Sequence, residues 1–168
     1  MRGRFGRRTT PEVALAPGER VLAWAEGAGG LVAAGSRQAF YLVPSEGDQV
    51  RLPWEQVEAA DWDRDESTLR VAEVGTWGER RVVHEVVLET PGDLLAMVRE
   101  RVTASIVLQR HIPVTARRGL RVVGRRSPVG DAPVEWFFEY DAGVDPDDPT
   151  VRLAAEAALD QARSDAGL

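Results

Sequence analysis

Between Leu52 and Val71 the chain reads Leu-Pro-Trp-Glu-Gln-Val-Glu-Ala-Ala-Asp-Trp-Asp-Arg-Asp-Glu-Ser-Thr-Leu-Arg-Val, and few folds accommodate that order. Val57 to Asp63 sets Ala60 and Trp62 on one face and Asp61 and Asp63 on the other. Thr68 to Val74 sets Leu69 and Val71 against Thr68, Arg70 and Ala72. Alternation of period two belongs to a strand with one buried face. Pro53-Trp54 ends a preceding strand, Gln49 to Leu52, because proline cannot donate to a ladder. Asp63-Arg64-Asp65-Glu66 is a solvated turn. Strand, corner, strand, turn, strand is the wall of a small β-barrel, and no residue in it is placed for chemistry.

The same rhythm fills the first half of the chain. Strands are expected over Arg20 to Glu26, Leu31 to Ala34, Gln38 to Val43 and Arg81 to Leu88, separated by Gly27-Ala28-Gly29-Gly30, Gly35-Ser36-Arg37, Pro44 to Asp48 and a Gly75 to Glu79 loop carrying Trp77. Short strands at regular spacing with turn signals indicate a sandwich or barrel. The period then changes. Thr90 as N-cap, Pro91 at the first helical position and Asp93 start an amphipathic helix of about four turns. Its stripe is Leu94, Val98 and Val102, widened by Leu95, Ile106 and Val107.

After Pro113 a hairpin is expected from Gly119 to Arg125 and from Val134 to Asp141, with Trp136, Phe138 and Tyr140 on one face and Phe137 opposite. Asp145-Pro146-Asp147-Asp148-Pro149 then caps a last helix from about Thr150 to Arg163, with an alanine-rich face suited to a sheet. The expected fold class is α+β: a seven-stranded antiparallel barrel or sandwich with a capping helix, then a β-hairpin and a C-terminal helix. The expected units are a basic flexible tail over 1–17, the barrel and helix over 18–112, and an extension over 113–168 packed on the first part.

All 21 basic residues are arginine, as GC-rich codon use produces, and there is no cysteine. Lysine chemistry, disulfides and thiolate sites are therefore excluded. No stretch approaches the roughly 18 apolar residues of a membrane span, and no signal-type run follows the basic N-terminus, so a cytoplasmic location is expected. Neither a cofactor nor a metal is expected. His84 and His111 have no ligand spacing around them. Asp61, Asp63 and Asp65 imitate a calcium loop, but Glu66 stands where glycine is needed and Ala72 where glutamate is needed. The glycine turn at Gly27 lacks phosphate-loop spacing and precedes a strand. No catalytic residue is assigned.

Charge is segregated under a net charge of -6. Arg2, Arg4, Arg7 and Arg8 make the first ten residues basic. From Arg101 to Gly130 there are no acids but seven arginines: Arg101, Arg110, Arg117, Arg118, Arg121, Arg125 and Arg126. From Asp131 onward acids dominate. Two arrangements fit. The two segments neutralise each other across neighbouring strands, or the arginines form a patch for an anionic partner.

The Pro53-Trp54-Glu55-Gln56-Val57 corner, the Ala60-Asp61-Trp62-Asp63 strand and Leu69-Arg70-Val71 resemble bacterial pleckstrin-homology-like domains, over roughly residues 18 to 110. The whole chain resembles a group of uncharacterised actinobacterial conserved proteins through its Arg20 to Trp24 start and its Val144 to Asp148 string. The resemblance implies a binding scaffold rather than an enzyme. The basic loop with which lipid-binding members hold phosphoinositides has no counterpart here, since the Gly27 turn carries no cation.

The expected function is a non-catalytic binding module working through protein–protein interaction. Its candidate surface is Arg101, Arg110, Arg117, Arg118, Arg121, Arg125 and Arg126, with Trp54 and Trp77 as exposed anchors, since arginine and tryptophan are common hot spots. The alternatives are weak binding of an anionic membrane surface or nucleic acid, aided by Arg2, Arg4, Arg7 and Arg8, and an enzyme of unknown class.

Overall fold

The computed structural model describes residues 9–168. The arginines of the first eight residues lie outside them. The described residues form an α+β fold, with ten strands in three antiparallel sheets and two α-helices. The first sheet has β1 (Ala23–Glu26), β2 (Val32–Gly35), β3 (Ala39–Val43) and β4 (Val50–Pro53) in chain order. The second has β5 (Val57–Asp63), β6 (Thr68–Glu73) and β7 (Val83–Val87). Helix α1 (Leu94–Ser105) follows, then a third sheet of β8 (Ile106–Pro113), β9 (Gly119–Arg125) and β10 (Glu135–Tyr140), and helix α2 (Pro149–Asp165).

The seven-strand count holds, but the strands do not form one closed barrel. Between β4 and β5 the corner Trp54–Gln56 makes a 3-10 turn, which ends one ladder before the next begins. The two sheets sandwich a core of Phe40, Leu42, Leu52, Trp54, Val57, Leu69, Val71, Val86 and Leu88, closed by Leu94, Met97 and Val98 of α1. Gly35 permits the close approach of α1. A Cβ there would lie 3.0 Å from the Met97 sulfur and 3.4 Å from the Trp54 ring. The Asp63 turn forms as expected, its Oδ1 accepting from the N–H groups of Asp65 and Glu66.

Helix α1 departs from the expected boundaries at both ends. It starts at Leu94, and Asp93 in the cap position makes no side-chain bond. Gly92, at φ 55°, interrupts the path from the expected Thr90 cap. It ends at Ser105, whose hydroxyl donates to the Val102 carbonyl at 2.7 Å. Ile106 and Val107 belong to β8 rather than the helix stripe, as β-branched pairs favour a pleated ladder. The expected hairpin is therefore a three-stranded sheet beginning at Ile106, and β8 runs across the expected 112/113 boundary. Its α2 face carries Leu120, Val122, Trp136, Phe138 and Tyr140 against Val151, Ala155, Ala158 and Ala162. The Asp148 cap is confirmed, with its carboxylate accepting from the Thr150 and Val151 N–H groups.

The expected tail over 1–17 is not free from Val13 onward. Val13, Leu15 and Val21 pack with Ala34, Ala39 and Tyr41 on the far face of the first sheet. Gln49 bonds Ala14 through both its N–H and its C=O, at 2.9 and 2.8 Å. The anchor is Glu19, whose side chain is fully buried. It accepts from Ser36 Oγ at 2.5 Å, from the Tyr41 hydroxyl and from the Ala16 N–H at 3.1 Å, with Arg51 Nε at 3.5 Å. Burial alone would raise this carboxyl. The Ser36 and Tyr41 hydrogen bonds and the Arg51 charge outweigh burial and hold it below the ordinary glutamate range.

A depressed folded pKa contributes stability above the unfolded value and loses it as pH falls through the folded one. The urea midpoint is therefore expected to fall as pH drops below about 4, the ordinary glutamate region. Glu19→Gln should lower the midpoint at neutral pH and flatten that acid limb. An unchanged limb in the variant would remove Glu19 from the account.

Candidate functional site

The loop from β6 to β7 begins at Val74, whose N–H donates to the Gln56 carbonyl at 2.8 Å. It turns at Gly78, with φ 83°, where the Glu79 N–H meets the Thr76 carbonyl at 3.2 Å. Between these points Trp77 projects with 56% of its surface exposed. The loop ends at Arg81, which pairs with Glu58 at 2.7 Å. Glu58 occupies a β-bulge between Val57 and Ala59, and the extra residue re-aims its side chain out of the ladder. Burial raises the Glu58 carboxyl above its ordinary range, against the pull of Arg81 and with a further push from Glu139.

The opposite wall is the outer face of β9 and β10, where Glu135, Phe137 and Glu139 stand against Arg125, Val123 and Arg121 in register. Arg125 is 3% exposed. Its guanidinium donates to the Val57 carbonyl at 2.9 Å, the Glu58 carbonyl at 3.1 Å and Ser105 Oγ at 3.3 Å. It thus joins the third sheet to the bulge and to the end of α1. Gln56 Nε2 donates to Glu135 at 3.0 Å beside it.

These walls enclose a cleft of about 220 Å³ lined by Glu58, Thr76, Trp77, Arg81, Phe137 and Glu139, among others. Sites that engulf a free small molecule run from about 300 Å³ upward. A cleft of this size has room for one or two side chains. Of its lining carboxylates, Glu58 pairs with Arg81 and Glu139 with Arg121 at 2.8 Å, while Glu79 is exposed on the Trp77 loop. Both histidines lie elsewhere, His84 against Glu73 at 2.7 Å and His111 against Asp141 at 3.1 Å. Among the described residues no group of three acids, histidines or cysteines is arranged to hold a metal ion.

The seven arginines do not make one surface. Arg110 is on the α2 face of the third sheet and bonds Asp165 near the end of α2. Arg121 and Arg125 are on the opposite face. Arg101 is half-buried on α1, 3.4 Å from Glu100, with its Nε buried and unpartnered. Arg117 and Arg118 are exposed in the β8–β9 loop beside Asp145 and Asp148, and Arg126 is exposed past β9. The buried Arg125 is no surface contact, since its charge is spent on backbone carbonyls. Arg110 and Arg121 pair with acids from the C-terminal segment. Trp54 is likewise no anchor. It is fully buried, with Nε1 donating to the Ser36 carbonyl at 3.0 Å.

Trp77 is the expected site residue that the fold places in the cleft and leaves exposed. Sequence reasoning missed Glu58 and Arg81, because a bulge has no signature in a run of alternating residues. Phe137 did have a signal, as the aromatic out of phase with Trp136, Phe138 and Tyr140. No helix among the described residues is long and apolar enough to cross a membrane. No protein-family model, curated protein or solved structure matches this chain.

Proposed function

We propose that the protein is a non-catalytic binding module that seats a segment of a protein partner in the cleft between the second and third sheets, with Trp77 as anchor. One observation carries this reading: a tryptophan more than half exposed, on a glycine-bounded loop, over an aromatic floor and an ion pair. Exposed tryptophan costs solvation and gains most when a partner desolvates it. The 4+3 strand order followed by α1 supports a pleckstrin-homology-like reading of the first unit, and such scaffolds bind rather than catalyse. Binding of an anionic surface has less support. The exposed arginines Arg117 and Arg118 sit beside acids, and Asp148 already caps the α2 N-terminus next to them.

Affinity purification with mass spectrometry from the source organism tests the reading. Trp77→Ala is expected to weaken capture of a stoichiometric partner by about 30-fold, the effect of losing roughly 2 kcal/mol at a hot spot. Its stability should stay within about 0.5 kcal/mol of wild type, because the ring is mostly in solvent. Arg117→Ser with Arg118→Ser should retain the partner. A partner retained by Trp77→Ala and lost by the arginine variant would replace the cleft with the loop surface.

A further inference from the structure

Among the described residues every sheet ends in edge strands, and all of these but one carry a device that discourages pairing with another chain. β1 and β4 are four residues long, and β4 ends in Pro53. β5 and β8 each carry a register shift, between Val57 and Ala59 and between Ile106 and Leu108. β10 would set Glu135 against Glu139 if it paired with its own copy about Phe137. β7 has no proline, and its register with β6 is unbroken from Thr68↔Val87 to Ala72↔Val83. It also displays Val83 at 45% and Val87 at 43% exposure, with Val82 beside them at 50%.

The backbone of β7 is poised for pairing. The Glu73 N–H donates to the Val82 carbonyl at 3.0 Å and the Leu88 N–H to the Ser67 carbonyl at 2.8 Å. Val82, His84, Val86 and Leu88 therefore bond to β6, and Val83 and Glu85 turn their N–H and C=O groups to the open edge. At the Val87 end the edge is covered, since a Cβ on Gly27 would lie 3.1 Å from the Val87 carbonyl oxygen. The free stretch is centred on Val83.

We propose that β7 pairs antiparallel with β7 of a second copy of this chain, about a two-fold axis through Val83. The charge pattern favours a copy over an unrelated strand. That register sets Val83 against Val83 of the second copy and Arg81 against its Glu85, twice over. Arg81 keeps Glu58 at 2.7 Å and Glu85 keeps Arg70 at 2.9 Å, so each crossing forms an alternating row of four charges. Opposite charges directly across an antiparallel pair stabilise it, and like charges destabilise it. The two sheets join into one of six strands.

Sedimentation velocity of the full chain over a concentration series tests this. Wild type is expected to form a reversible dimer, and Val83→Lys, which sets two cations against each other on the axis, a monomer with an unchanged circular dichroism spectrum. The absence of cysteine permits a second test that does not depend on that variant folding well. Directly opposed hydrogen-bonded residues have Cα atoms about 5.5 Å apart, within the roughly 4.4–6.8 Å span of a disulfide. Val83→Cys should oxidise to a covalent dimer, and Val87→Cys, of matching exposure, should not. A wild type that stays monomeric at its highest soluble concentration overturns the proposal. So does a dimer that survives Val83→Lys, or equal cross-linking at both positions.

Discussion

Trp54→Ala is expected to destabilise the fold by about 3–5 kcal/mol, the range for removing a fully buried large aromatic. Total stabilities are about 5–15 kcal/mol, so the variant would lose a large part of its margin. Two effects combine. The ring fills the junction of the two sheets with Phe40 at a centroid distance of 6.0 Å, beneath the Met97 turn of α1. Its loss opens a cavity that β3, α1 and the 3-10 turn cannot all collapse into. It also orphans the buried Ser36 carbonyl, which accepts from Nε1 at 3.0 Å. Trp54→Phe should lose less, since it keeps most of the volume and drops only that hydrogen bond. Urea unfolding at neutral pH reads both. A loss below about 1 kcal/mol for alanine, the size of an ordinary substitution, would mean that this junction is not a close-packed core.

Arg125→Ala is expected to cost about 3 kcal/mol, for a different reason. The Val57 and Glu58 carbonyls lie at the β5 bulge, where the ladder is broken and the guanidinium supplies their hydrogen bonds. Each buried carbonyl left without a donor costs about 1–3 kcal/mol. Burial lowers the Arg125 pKa, partly offset by Glu139 and Glu58, so the site already bears a desolvation cost that only the complete set of bonds offsets. Arg125→Lys should recover little. An ammonium on a flexible stem does not reproduce a planar fork that reaches two carbonyls and Ser105 together. Amide exchange should also quicken at the start of β5 and the end of α1, the elements that Arg125 ties to β9. Uniform exchange changes across the chain would contradict that local role.

The two variants also show what was legible in the residues. Leu69 and Val71 could be placed on the core face because the strand period is two and one face of the pair is buried. Asp148 could be read as a cap because its carboxylate needs only the two N–H groups a few residues ahead. Trp54 and Arg125 were misread as surface anchors. The burial of Trp54 depends on Gly35, Phe40 and α1 arriving around it. The partners of Arg125 are backbone carbonyls 67 and 68 residues away, which carry no side-chain identity to recognise. The helix stripe ran on into Ile106 and Val107 because period alone does not distinguish the end of a helix from the start of a buried strand.

By itself the sequence determined the α+β class, the seven short strands, the faces of β5, β6 and β10, and the capping of α2. All of these follow from local periodicity and from turn chemistry within a few residues. Only the tertiary structure decided that two sheets form instead of one barrel, that β8 joins the third sheet, and which arginines meet acids, carbonyls or water. Those outcomes depend on surfaces brought together from distant parts of the chain. The same folding leaves Trp77 exposed over the cleft and β7 as an unguarded edge.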